Sequence, residues 1–346
     1  MAGLFDLEFH EKKIKEYQPT LAKLDLVIDW EMFRETIEKA LYVEPKGAGG
    51  RPPFDKIMMF KILILQKYYN LSDEQTEFQI NDRTSFKQFL GLKIGDTIPD
   101  EKTIWHFKEQ LANKDLSKSL FEMFAVALMD KGIIAKEGSI VDATFVDVPK
   151  QRNSKEDNAD IKKGAVPLKF GKKDKNGKQS KLCQKDTDAR WMTKSGEKHF
   201  GFKDHINADE KTKLITKYSV TSAAPHDSTE IENIVDETDN RLHADSAYRS
   251  KEIEEHLKAI ECESFVHEKG YRGSPLTEQQ KESNNKKSKI RARVKHIFGF
   301  MTNSMNNALY MRSIGIKRIK ESIGLLNLTY NLFRFEQLIR LEKVKI

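Results

Sequence analysis

Cysteine is nearly absent: Cys183 and Cys262 are the two in 346 residues. Thiols so few and so far apart make neither a disulfide framework nor a zinc site, whose ligands arrive in close pairs, and the sequence therefore predicts a chain of the reducing cytoplasm. Long apolar runs are missing as well. The longest, Ile57 to Leu65, is interrupted by Lys61 and falls far short of the roughly 20 apolar residues that span a bilayer, so no membrane partner is expected. The opening residues MAGLFDLEFHEKK have neither a basic start nor a small-residue cleavage site, so no secretory signal is expected. An excess of one charge is also hard to find at first: 60 Lys and Arg against 53 Asp and Glu leave +7, which fits almost any soluble globular protein. The length itself points to about two domains.

What is present is a concentration of that charge. Residues 149–190 hold eleven Lys and two Arg against six acids, and residues 281–295 hold seven basic residues against one acid. These two segments carry +7 and +6, so the rest of the chain is slightly acidic. Such an uneven distribution is expected of a surface that faces a polyanion. On composition alone, a solvated lysine-rich loop accounts equally well for the first segment.

Up to about residue 134 the apolar spacing is helical. Phe54, Ile57, Met58, Phe60, Ile62 and Leu65 recur at helical intervals, and Pro53 suits a first helical turn. Ser72 with Gln75 predicts a capping box, and further helices are expected at 83–90, 102–111 and 116–131. The domain 1–134 is thus expected to be all-helical, with a helix-turn-helix compatible with its short elements; both DNA contact and a purely structural bundle fit.

After Gly138 the pattern changes to short β-like runs: SIVDATFVDV, HFGFKDHINA, LITKYSVTSA, RLHADSAY and CESFVHE. Between the third and fourth, Asp227 and Glu230 suit the cap and box of a helix. Residues 149–198 read as a basic insertion without fixed structure in the absence of DNA. Ile290, Val294, Ile297, Phe298, Met301, Met305 and Leu309 predict one amphipathic helix over 286–311, and 323–343 a second apolar-striped helix suited to packing, or to contact with another copy. The fold class is mixed α/β over 135–346, with a helical C-terminal part from 286.

Two aspartates stand where aspartates are unfavourable. Asp142 interrupts Ile140-Val141 and Phe145-Val146, and Asp245 ends the strand in LHADSAY. Burying a carboxylate is costly unless a counter-charge or metal compensates it. Alone, each also fits a strand-end hydrogen-bonding role; together they suggest a site for a hard divalent cation such as Mg²⁺, able to act on a phosphodiester.

The motifs GRPPFDKIMMFKILILQKYYNLSDEQ, IPDEKTIWHFKEQL, GSIVDATFV, KHFGFKDHINAD, VTSAAPHDS, HADSAYRS, IRARVKHIFG and NLTYNLFRFEQLIRL follow one another along the chain. As an ordered series they resemble the DDE transposases of bacterial insertion sequences, of the type grouped under insertion sequence five. The resemblance implies an RNase H-like catalytic core behind a helical DNA-binding domain, with cleavage and strand transfer at terminal inverted repeats dependent on Mg²⁺ or Mn²⁺. It implies double-stranded DNA, transposon ends and target, as partner, action as a homo-oligomer on that DNA, and a prokaryotic, nucleoid-associated setting. It marks Asp142 and Asp245 as metal-bridging aspartates. The third acid of the family falls in a motif resembling RARVEH, and here Lys295 stands in its place, so this chain is expected to bind DNA better than it cuts it. Glu282 is the nearest acid in sequence, thirteen residues earlier.

Phosphate contacts are expected from Lys286, Lys287, Lys289, Arg291, Arg293 and His296. Tyr248 and Arg249, at a strand-to-helix corner where a simple cap fits equally, are placed at the site mouth. Lys203 lies on a strand that can turn only one face to the site, and His226 at another strand-to-helix corner is placed in its lining. Trp191 and His199 flank the insertion, and packing suits Trp191 better than stacking on an unpaired base.

Overall fold

The computed structural model describes residues 6–17, 19–44, 52–135, 137–167, 170, 185–194, 196–271 and 273–344. They form two compact units, one of residues 1–134, 299–308 and 324–346 and the other of 135–298 and 309–323. The boundary near 134 coincides with the change of sequence pattern, but the expected C-terminal helical part divides between the two units.

In the first unit, α1 (Asp6–Glu16), α2 (Thr20–Val27), α3 (Arg34–Ala40), α4 (Lys56–Tyr69), α5 (Asp73–Asp82), α6 (Thr84–Leu90), α7 (Glu101–Asn113) and α8 (Leu116–Asp130) follow one another without a strand among the described residues. Pro53 precedes α4 instead of opening it, because Asp55 is the N-cap and accepts from the Met58 amide. α4 is also not striped: Ile57, Met59, Phe60, Ile62, Leu63, Ile64 and Leu65 are all buried, as in a helix enclosed on every side. Its lysine, Lys61, is tolerated there by Asp25 at 2.6 Å. The predicted Ser72–Gln75 capping box is present at α5.

The terminal helix α14 (Ile316–Arg340) is likewise enclosed. Leu326, Leu328, Leu332 and Phe333 are buried, and so are Asn327, Thr329 and Asn331 between them. Phe333 stacks on Tyr68 and Phe335 meets Phe124 edge-on. The packing role expected of this apolar helix is thus present, but its side chains are buried on all sides and not along one stripe.

The second unit is built on one mixed sheet. Its strands are β1 (Ser139–Asp147), β2 (Arg190–Lys194), β3 (Glu197–Asp209), β4 (Ile215–Ser222), β5 (Arg241–His243) and β6 (Glu263–Ser264). The order is β2-β3-β1-β5-β6, with β4 on β3 as well. β3 runs antiparallel to β1, β2 and β4, whereas β1, β5 and β6 are parallel. Antiparallel neighbours need only tight turns, but parallel ones need crossovers. α10 (Ile231–Ile234), behind a 3₁₀ turn, lies between β4 and β5, and α11 (Lys251–Ala259) between β5 and β6. Val141, Ile231, Ile234, Leu242, Tyr248, Ile253 and Leu257 form the core that these helices close over the sheet. Gly201, opposite Asp147, lets β3 press against β1 where a Cβ would overlap the Val146 carbonyl.

Three further expectations are corrected. The insertion is not structureless throughout: α9 (Lys155–Lys162) is held by a Ser154–Asp157 capping box, and β2 extends the sheet. Its positions 168–169 and 171–184, Cys183 among them, lie outside the described residues. The helix expected over 286–311 starts earlier and breaks, as α12 (Glu278–Arg291), α13 (Val294–Gly299) and a π turn at Phe300–Ser304. The Thr277–Gln280 capping box sets the early start. At the break, the amides of Arg293, Lys295 and His296 bond to carbonyls three residues back, the tighter pattern that ends an α-helix. Finally, Asp227 is not a cap. His226 is, through its ring nitrogen to the Ser228 amide, and Glu230 accepts from Ser219 instead of closing a box.

Candidate active site

Parallel register places the two aspartates together. Ile140 pairs with His243, the last residue of β5, so Asp142, two residues on in β1, and Asp245, two residues past that strand end, come close together. A period of two keeps both on the same side as that pair. β5 itself ends at His243, because Asp245 has left the ladder to cap a 3₁₀ turn, accepting from the Ala247 amide at 2.7 Å. Asp142 accepts from the Ala143 amide at 2.9 Å. Each carboxylate is thus fixed through Oδ1, and its Oδ2 is left for something else.

That something is Arg291. α12 packs on β1 and β5, and the last residue of the helix puts one nitrogen, Nη2, 3.5 Å from Asp142 Oδ2 and 3.3 Å from Asp245 Oδ2. The side chains of the three are only 27, 17 and 30% exposed for Arg291, Asp142 and Asp245. Burial raises the Asp142 carboxyl above its ordinary range, against the opposing pull of Arg291. A positive charge between two carboxylates offsets their mutual repulsion, but a single shared nitrogen at these distances is far from a bidentate fork. The Arg291 Nε is buried without a hydrogen-bond partner.

Two hard oxygens converging on one cationic nitrogen also fit a divalent metal. Mg²⁺ is commonly held by one or two carboxylates, its remaining positions filled by water and substrate phosphate. Asp142 Oδ2 and Asp245 Oδ2 would hold such an ion. Among the described residues there is no cluster of three His, Cys, Asp or Glu side chains able to share one, so none of them adds a third such ligand to this pair.

Lys295 makes no ion pair with Asp142 or Asp245. It is exposed on α13 and makes no ion pair among the described residues. Glu282 does not substitute, being exposed on α12 and paired with Lys286 at 2.9 Å. Of the motif Arg291-Ala292-Arg293-Val294-Lys295-His296, Arg291 is the member that meets the carboxylates. Arg293 donates to the Glu210 backbone carbonyl at 2.8 Å, and His296 is exposed.

Several expected phosphate contacts are otherwise engaged. Lys203 is buried and donates to the Pro225 carbonyl at 2.6 Å and to Asp227 at 2.7 Å. Tyr248 is not at a mouth: it is 1% exposed, with its ring in the apolar core and its hydroxyl buried without a partner. Burial, reinforced by Asp142, Asp227 and Asp245, holds that hydroxyl well above the ordinary tyrosine range. Arg249 binds Glu254 at 3.0 Å and Glu268 at 3.2 Å, and Lys287 reaches the Val266 carbonyl at 2.9 Å and the same Glu268 at 3.6 Å. Ser250 caps α11. His226 is exposed but is engaged with Ser228. Lys286 and Lys289 stand exposed on α12. His199 stacks on Phe145 at 4.0 Å and its Nδ1 lies 3.2 Å from Asp147, whereas Trp191 packs at a tilt on Phe200 with 45% of its surface exposed.

The sequence reading missed His267. Leu242 pairs with Ser264, so three residues on from each, Asp245 and His267 are at one level. His267 hydrogen-bonds Ser288 of α12 at 3.4 Å, and its pKa is lowered by burial and by the charges of Arg291 and Lys287. The signal was available: in CESFVHE a polar residue follows a short strand as Asp245 does in LHADSAY.

Comparison with known proteins adds two matches. Residues 134–332 match the family model described as Transposase DDE domain, and residues 8–110 match the one described as Transposase domain (DUF772). No solved structure matches the chain.

Proposed function

Because the chain belongs to the DDE transposase family, we propose that it binds the terminal inverted repeats of an insertion sequence and is built for divalent-metal-dependent cleavage and strand transfer, with catalysis impaired by Lys295. The observation that carries this reading is the convergence of Asp142 Oδ2 and Asp245 Oδ2 on one cation position, from neighbouring parallel strands. Asp245 lies just beyond the carboxyl end of β5, where ligands bind in open α/β sheets, and Asp142 stands within β1 beside it. The sheet, with three antiparallel strands β4-β3-β1 continued by parallel β5 and β6, supports an RNase H-like core. No helix among the described residues is long and apolar enough to cross a membrane. On this reading the chain acts on DNA in a prokaryotic cytoplasm, as an oligomer that brings two ends together.

The roles follow from the residues. Asp142 and Asp245 hold the cation, Mg²⁺ or Mn²⁺, which when bound supplies Lewis-acid stabilisation of charge on the scissile phosphodiester. The amides of Ala143 and Ala247 fix the two carboxylates by their other oxygens. Lys286 and Lys289 offer exposed charge to the backbone of the DNA, a sequence-independent and salt-sensitive contribution. Lys295, where the resembling motif has Glu, has no lone pair to give and adds a positive charge where an acid would draw the metal.

A second reading, a decayed or domesticated transposase that only binds DNA, is favoured by one observation: no third acid joins the pair among the described residues, while α12 and α13 present Lys286, Lys289, Lys295 and His296 to solvent. Incubating end-sequence DNA with Mg²⁺ and either the chain or Lys295→Glu separates the readings. Cleavage that appears or rises strongly with Lys295→Glu supports an impaired enzyme, and binding without cleavage by both supports the second reading.

A further inference from the structure

We propose that Arg291 is a built-in occupant of the carboxylate pair, which a divalent cation must displace. The inference rests on the proposed metal site and adds a competitor to it. Its observations are geometric: one guanidinium nitrogen shared between Asp142 Oδ2 at 3.5 Å and Asp245 Oδ2 at 3.3 Å, and a neighbouring Nε that is buried without a partner. These are the oxygens left after Ala143 and Ala247 have taken the others, so guanidinium and metal compete for the same atoms.

Without a metal, two partly buried carboxylates close together repel each other, and Arg291 compensates them. With a metal bound, the guanidinium would lose both partners and face a second positive charge, so the two occupants exclude each other. Arg291 is the last residue of α12, followed by the two-residue break before α13. Displacement therefore needs a change only at a helix end, where the side chain can swing toward a phosphate oxygen of bound DNA. A guanidinium suits that second position as well, since phosphate accepts the same fork of N–H donors. Arg291 would thus serve the metal-free pair and the DNA in turn.

The test is calorimetric titration of the full chain with MnCl₂, run beside Arg291→Gln, Arg291→Lys, Lys289→Gln and Asp142→Asn, each first melted in EDTA to establish folding. Arg291→Gln is expected to bind Mn²⁺ about ten-fold more tightly than the unmodified chain, a coupling of the size usual between linked sites. Its melting point in EDTA is expected to be lower and its rise on adding Mn²⁺ larger. Lys289→Gln, which removes an exposed charge two residues earlier on the same helix, is expected to stay within about two-fold, well below that coupling. Asp142→Asn is expected to abolish binding. If Arg291→Gln does not fold, Arg291→Lys, which keeps the charge without the planar fork, is expected to show a smaller gain. Equal Mn²⁺ affinity with and without Arg291, alongside loss in Asp142→Asn, overturns the competition and leaves the metal site standing. Equal gains in Arg291→Gln and Lys289→Gln also overturn it, as a generic charge effect. No Mn²⁺ binding by any variant overturns both the competition and the site.

Discussion

Lys203 shows how residue identity alone misleads. A lysine on a strand beside the site reads as a phosphate contact, yet its ammonium is enclosed by Asp227 and the Pro225 carbonyl, with side-chain exposures of 5% for Lys203 and 15% for Asp227. Removing one partner of a buried pair leaves an uncompensated charge. Lys203→Ala is therefore expected to destabilise the fold by about 3 kcal/mol, whereas Lys203→Met with Asp227→Leu should cost much less, as urea unfolding would measure. His205, on the same face two residues on, is fully buried, bonded to Thr221 at 2.9 Å, and pushed down to about 4 chiefly by burial. Between about pH 6.5 and 4 the unfolded chain takes up the proton and the folded chain does not, so stability falls as pH falls through this window, by up to about 3 kcal/mol. Thermal melts of the chain and His205→Gln across this range should show a shallower pH slope in the variant; parallel slopes would contradict the assignment. Asp142 and Asp245 were legible in sequence because a carboxylate in an apolar strand needs a reason. Which cation meets them was not legible, since nothing in Lys286 to Lys295 distinguishes Arg291 from its basic neighbours until α12 is laid on the sheet.

Among the elements, α12 bears most directly on the site, because it carries Arg291 to the carboxylates. It begins at Thr277, whose side chain accepts from Gln280 and whose amide is bonded in return by the Gln280 side chain. Thr277→Ala is expected to cost about 1 kcal/mol, a loss that chemical denaturation should detect. The strands β1, β3 and β4 could be read from alternation and β-branched content, because each is long enough for the pattern to repeat. β5 and β6 are three and two residues long, too short for any period, and only the flanking motifs betrayed them. The break at 292–293 was hidden because apolar residues keep helical spacing through it: Ile290, Val294 and Ile297 are spaced as in one helix although the backbone is not continuous. For α4 and α14 the failure has the opposite cause. An amphipathic stripe was expected, but helices buried on all sides show no stripe to find, and even the Asn and Thr side chains of α14 are inside.

On the scale of the whole molecule, a net charge of +7 conceals a slightly acidic protein with two basic segments, of which the second ends at Lys295. One side of that segment is committed internally, through Lys287, Arg291 and Arg293. Lys286, Lys289 and Lys295 face solvent. On the proposed function, two properties that the sequence blends come apart: affinity for DNA, assigned to the exposed lysines, and cleavage, assigned to a carboxylate pair that no third acid joins among the described residues. Swapping the charge at position 295 should move the second far more than the first. The decisive measurement is Mg²⁺-dependent cleavage of labelled end DNA by the chain, by Lys295→Glu, and by Lys295→Glu combined with Asp142→Asn. The account predicts little or no product from the unmodified chain, clear product from Lys295→Glu, and none from the double variant. Robust cutting by the unmodified chain, or product that survives Asp142→Asn, would contradict it.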